Sequence, residues 1–201
     1  LTALRHIMME MPRPVLMISS LTTEGAESTL KALELGAVDY ISKQLSRVSL
    51  DIVKIEDSLK AKVKAVAKRK VRPVLSRVVK KKIEPAPVPA IVTPKGKAVR
   101  DIVVIGVSTG GPPAVQKVLS ELPADFPACI LIAQHMPKAF TGPFAKRLDG
   151  LCQITVKEAE KGDRVKPGVA YVAPGGVHMV LDQRVSHIDI VLTTEPADAL
   201  Y

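Results

Sequence analysis

Two residues in this 201-residue chain have the type and placement needed for acyl transfer: Ser108, within Gly106-Val-Ser-Thr-Gly-Gly111, and His135, within Gln134-His-Met-Pro137. Glycines on both sides of a serine permit a sharp turn and leave the main chain open to a substrate. Pro112 and Pro113 suit a helix start, which puts the hydroxyl beside N-terminal amides that favour negative charge. Such a serine can attack a carbonyl, and Thr109, Gly110 and Gly111 supply the turn that would hold the resulting oxyanion. A histidine titrates near neutrality, so it can take the serine proton and return it to a leaving group. By itself the hexapeptide also fits an anion-binding turn or a plain strand-to-helix connection. It lacks the lysine of a P-loop and the spacing of a dinucleotide fingerprint.

The elements around these residues must bring them together. Ile102-Val-Val-Ile105 and Cys129-Ile-Leu-Ile-Ala133 read as buried strands, with Ser108 and His135 just past their carboxyl ends. Ala114, Val115, Val118, Leu119 and Leu122 mark the apolar face of a helix between them. One strand-helix-strand step of a parallel sheet puts both residues on the rim where such sheets gather ligands. Histidine directly follows serine in chain order, which disfavours the α/β-hydrolases that share the short G-x-S-x-G pattern. Upstream, Leu1, Leu4, Ile7, Met8 and Met11 suggest an amphipathic helix, and Pro14 to Ile18 a strand ending in Ser19-Ser20. A second helix carries Ala26, Leu30 and Leu33 and stops at Gly36. Val38 to Lys43 is another strand, so the fold class is α/β throughout.

The net charge of +9 is concentrated in one segment. Residues 60–100 hold fourteen of the 29 lysines and arginines and a single acid, Glu84. Ile52, Ile55, Leu59 and Val63 imply a helix running into that segment. Pro73, Pro85, Pro87, Pro89 and Pro94 then imply an extended tether. The tether has no aromatic residue for base stacking and reads as a solvated linker, although a basic run can also bind nucleic acid. Cys129 and Cys152, without a signal peptide, read as reduced thiols of a cytoplasmic protein. No apolar run is long enough to span a membrane. His135 and His178 are too widely spaced for a metal site, and His178 fits a cleft-lining or strand-edge place.

Taken together, the segments Ile105–Gly111, Gln134–Pro137, Phe140-Thr141 with Phe144–Asp149, Glu158-Ala159, Gly162-Asp163, Pro167-Gly168, Tyr171–Gly176 and His178-Met179 resemble the front half of one catalytic domain. That domain belongs to the chemotaxis protein-glutamate methylesterases, the CheB family. The resemblance implies a doubly wound, Rossmann-like parallel sheet, with Ser108 as nucleophile and His135 as base. It also implies a third member, an aspartate in a glycine-rich turn that this chain does not contain. Asp163, Asp182, Asp189 and Asp198 lack that turn and read as surface or turn carboxylates. The opening residues resemble the C-terminal part of a flavodoxin-like response-regulator receiver. In that resemblance Ser19 is the switch hydroxyl, Tyr40 the rotating aromatic and Lys43 the phosphate-contacting lysine. Gln44 departs from the proline usual after that lysine.

These resemblances imply a partial receiver over 1–69, a basic linker over 70–100 and the N-terminal half of a methylesterase domain over 101–201, with the chain truncated at both ends. The implied activity is hydrolysis of glutamate methyl esters, and deamidation of certain glutamines, on methyl-accepting chemotaxis receptors. A chemotaxis histidine kinase would be the phosphodonor. Hydrolysis would need no cofactor, whereas receiver phosphorylation in the full-length parent would need Mg²⁺ at an acidic site lying before Leu1. Nucleic acid and membrane insertion are not expected. The alternatives are a non-catalytic response regulator with a nucleic-acid-binding tether, and a generic serine esterase.

Overall fold

The computed structural model describes residues 1–20, 22–43, 50–68 and 102–196. The tether expected over 70–100, Gln44, Asp198 and both expected domain boundaries lie outside the described residues.

The first part runs α1 (Thr2–Glu10), β1 (Leu16–Ser20), α2 (Thr23–Glu34), β2 (Asp39–Lys43) and α3 (Leu50–Ala67). β1 and β2 pair in parallel, from Leu16 opposite Asp39 to Ser20 opposite Lys43. Helix α2 makes the crossover that a parallel pair requires. The Thr22 hydroxyl accepts the Gly25 N–H at 3.0 Å to cap its start. Gly36, at φ 106°, ends the turn beyond it in a conformation that favours glycine. Ala26, Leu30 and Leu33 are buried, as their spacing requires, but α1 buries less than its apolar residues suggest. Leu4 and Met8 form one i, i+4 stripe, while Leu1, Ile7 and Met11 remain exposed because the helix is covered along one side only.

The second part runs β3 (Ile102–Val107), α4 (Gly111–Leu119), β4 (Cys129–Gln134), α5 (Lys138–Asp149), β5 (Thr155–Glu158), β6 (Val169–Val172), β7 (His178–Gln183) and β8 (Ile188–Thr193). Four strands form a wholly parallel sheet in the order β3-β4-β6-β5, and β7 and β8 make an antiparallel hairpin. Alternation along β4 divides the core in two. Ile130 and Ile132 pack with Val115, Leu119, Phe140 and Phe144 of α4 and α5. Cys129 and Leu131 face Tyr171 and Ile190, with Met179 and Leu181 of the hairpin packed alongside. The continuous apolar run of β4 is thus buried on both faces, the usual state of a central parallel strand.

β3 departs from the buried strand that its sequence suggests. Val104, opposite Leu131 in the register, is 71% exposed, and Val103 is exposed as well. Among the described residues β3 has one neighbour, β4, and the hairpin does not reach over Val104. The face of α4 is also rotated from expectation. Pro112, Val115 and Leu119 are buried while Ala114 and Val118 are exposed, and Leu122 lies beyond the helix, packed on the core from the following turn.

Helix α2 joins the two parts by packing against α5 and α4. The Tyr40 ring stacks on Phe140 with centroids 4.9 Å apart, and Glu34 pairs with Arg147. Burial, with Asp39 alongside, pushes the Tyr40 hydroxyl well above its ordinary pKa. No described helix is long and apolar enough to cross a membrane.

Candidate active site

The site is built on the last rung of the β3–β4 ladder. Val107 lies opposite Gln134, so Ser108 and His135 each follow the final paired residue of their strands. The His135 N–H donates to the Val107 carbonyl at 3.1 Å, which carries the ladder one step further. Neighbouring strands run about 4.8 Å apart, so both side chains leave adjacent strand ends on one rim. Both residues are exposed to solvent, and the packing of α2 on α4 and α5 leaves them so.

The turn after β3 explains its glycines. Gly110 caps α4 at φ 75°, ψ 6°, a left-handed conformation that favours glycine. The Gly111 N–H donates to the Ser108 carbonyl at 2.7 Å, closing the turn. Pro112 and Pro113 have no N–H. Neither proline can therefore offer an amide to an anionic oxygen at the start of this helix.

Sequence reasoning missed Gln134, the residue beneath the turn. It is 8% exposed, and its Nε2 donates to the Ser108 and His135 carbonyls at 3.2 Å each. A Cβ at position 111 would overlap Gln134 Oε1, so Gly111 also makes room for this amide. The available signal was a polar residue ending an otherwise apolar buried strand.

The loop after β4 is held from below. Thr141, fully buried in α5, donates to Glu158 Oε1 at 2.5 Å and accepts the Gly175 N–H at 3.3 Å. Gly175 in turn lies flat against the backbone of Met136 to Lys138, where a Cβ would stand 2.5 Å from the Lys138 nitrogen. The segment carrying His135 is thus wedged between α5 and the turn after β6.

The remaining candidates lie elsewhere. Ser19 donates to the Gly25 carbonyl at 3.0 Å and sits one rung before Ser20, the partner of Lys43. The pairing brings Ser19 and Lys43 to one strand-end rim, whereas Tyr40 is buried against Phe140. His178 opens β7, with Nε2 3.1 Å from the Pro196 carbonyl, which places it at a strand start. Asp163 accepts Lys157 Nζ and the Glu160 N–H, both at 2.8 Å, in a tight turn. Asp182 and Asp189 pair with Arg184 around the β7–β8 hairpin.

The β7–β8 hairpin contains a serine–histidine–aspartate string. Ser186 Oγ is 3.0 Å from His187 Nδ1, and His187 Nε2 is 3.2 Å from Asp189 Oδ2. It joins two antiparallel strands, with no helix N-terminus to receive an oxyanion, and its bonds hold the turn. Burial pushes the Cys129 thiol up to about 11, leaving it protonated at neutral pH. No group of three or more histidines, cysteines and acids that could hold a metal occurs among the described residues. The Mg²⁺ of a receiver therefore has no fitting carboxylate set among them.

The family profile described as CheB methylesterase matches residues 103–200. Residues 103–200 belong to the CheB methylesterase family. The whole chain aligns at 66% identity over 227 residues with protein-glutamate methylesterase/protein-glutamine glutaminase 2 of Nitratidesulfovibrio vulgaris, covering 59% of it. A protein-glutamate methylesterase/protein-glutamine glutaminase of Pyrococcus horikoshii is 46% identical over 205 residues, with 98% of this chain covering 52% of that one. The crystal structure of the Thermotoga maritima CheB methylesterase catalytic domain matches with a TM-score of 0.45 and 48% identity, over 46% of this chain and 49% of that one. The chain thus spans 52–59% of the length of these two curated relatives. The CheB segment contains Ser108 and His135, while Ser19, Tyr40 and Lys43 precede it.

Proposed function

We propose that this chain is part of a protein-glutamate methylesterase/protein-glutamine glutaminase, with Ser108 as nucleophile and His135 as general base. The observation that carries the reading is the Val107–Gln134 rung, which sets both residues side by side at the carboxyl ends of adjacent parallel strands.

In the proposed reaction, Ser108 Oγ attacks the side-chain carbonyl carbon of a glutamate γ-methyl ester while His135 takes the hydroxyl proton. The amides of Thr109 and Gly110 stabilise the oxyanion of the tetrahedral intermediate. Its collapse breaks the ester C–O bond, and His135 gives its proton to the departing methoxide, which leaves as methanol. Water, deprotonated by His135, then attacks the acyl-serine. The intermediate collapses, Ser108 recovers its proton, and a glutamate carboxylate is released. With a glutamine substrate the same steps release ammonia. The substrates in this reading are side chains on chemotaxis receptors, and the receiver-like part, phosphorylated by a chemotaxis histidine kinase, regulates access. Asp163, Asp182 and Asp189 are engaged in turns and take no part in this reading.

The test uses a polypeptide that carries these residues and spans the full length of the relatives. Ser108→Ala should abolish methanol release from methylated receptor without loss of the fold. His135→Gln should cost about as much, because members of such a unit act non-additively. Near-parental turnover in either variant would remove that residue from the mechanism.

A further inference from the structure

We propose that Gln134 is a positioning residue for acyl transfer, holding the nucleophile turn and the base loop at one separation through a single buried amide. The inference rests on the reading of Ser108 and His135 as nucleophile and base. A side-chain amide nitrogen carries two hydrogens. Here one is donated to the Ser108 carbonyl and the other to the His135 carbonyl, both at 3.2 Å. Those carbonyls belong to the two reacting residues themselves, so the amide is bonded directly to both halves of the site. Its own position is tightly set. The side chain is on the helix-facing side of β4, beside Val107, and a Cβ at Gly111 would overlap its oxygen. That oxygen is buried and finds no hydrogen-bond partner among the described residues. A side chain selected for stability alone would not leave a buried acceptor unpaired. The donor side of this amide is fully used, and it is used on the site.

The experiment compares Ser108→Ala, Gln134→Met and Gln134→Glu in the full-length polypeptide, with folding checked by circular dichroism. Methionine keeps the length of the stem and removes both donors. Misplacing reacting groups by about 1 Å costs on the order of 100-fold. The Gln134→Met kcat should therefore fall roughly 10- to 100-fold, with KM within about twofold of the parent. Glutamate has the same shape, but when ionised it offers only acceptors to two carbonyl oxygens; once protonated it regains one donor. The ratio of the Gln134→Glu kcat to the parental kcat should rise as pH is lowered from about 8 to about 5. The corresponding Gln134→Met ratio should stay flat. Dividing by the parent removes every pH effect common to all three.

A Gln134→Met kcat within about twofold of the parent, or a raised KM at unchanged kcat, overturns the proposal. So does a flat Gln134→Glu ratio, which also decides the matter if the methionine variant does not fold. Retained turnover in Ser108→Ala is a separate result: it would defeat the underlying reading of the site.

Discussion

Replacing Thr141 by valine removes one buried hydroxyl and almost no volume, so its cost isolates the bonds that hydroxyl makes. The hydroxyl's one proton lies between Glu158 and the Lys138 carbonyl, which is 3.0 Å away, and the Gly175 N–H donates to its oxygen. Glu158 loses a donor 2.5 Å from Oε1, and the Gly175 N–H loses an acceptor at 3.3 Å. A hydrogen bond to a charged group contributes about 1.5–3 kcal/mol, and a long neutral one about 0.5–1 kcal/mol. Glu158 is half-buried and recovers part of its loss from water. The expected net destabilisation is therefore about 2–3 kcal/mol. With a urea dependence of about 1–2 kcal/mol per molar, the unfolding midpoint should fall by roughly 1–3 M. Unfolding followed by far-UV circular dichroism at low micromolar protein measures this directly. Thr141→Ser keeps the hydroxyl and loses one methyl, so it should cost only about 1 kcal/mol. A valine variant within about 0.5 kcal/mol of the parent, within ordinary surface-substitution scatter, would refute the reasoning. So would a serine variant damaged as badly as the valine one.

Two further outcomes follow from packing and charge. Burial pushes the Tyr171 hydroxyl up to about 12 while it donates to the Arg164 carbonyl at 2.7 Å. A pKa raised in the folded state gives a contribution that is complete below about pH 10 and lost as pH rises from about 10 through 12, about 1.4 kcal/mol per unit. Alkaline unfolding curves should therefore be less steep in Tyr171→Phe, and identical curves would show that this hydroxyl is not the titrating group. Val104 is 71% exposed on β3, which pairs with β4 alone among the described residues. Val104→Lys should shift the 201-residue chain from associated species towards monomer in light scattering, as charge on an edge strand does. An unchanged size distribution would place association elsewhere.

The strand-end pair was legible because its signals are local: an apolar run sets each strand, and the candidate residue lies just past the strand's end. The ladder then places Ser108 and His135 one step past Val107 and Gln134. What stayed hidden depends on distant partners. Thr141 gives no sign in sequence of Glu158 or Gly175, which reach it across the sheet edge. Gln134 reads as a strand terminus until the turn at Gly111 is seen above it. The exposure of Val104 was illegible for the opposite reason. Its apolar neighbours in sequence predict burial, but burial needs a second strand or a covering layer, and the described residues provide neither there. The seams of α1 and α4 were misjudged on the same ground, since which apolar residues are covered depends on where the neighbours stand.

The ladder also separates what can vary from what cannot. β4 carries the site at one end and the connection from α4 at the other, some 16 Å away along six residues. Pro123, Ala124 and Asp125 are exposed in that connection. A loop grafted there lengthens the chain between Ser108 and His135 without moving either, because the spacing of the pair is set by rungs and not by intervening sequence. Insertions between Ser108 and His135 are thus tolerable there, and a reporter or affinity tag placed at 123–125 should leave the rim unaltered.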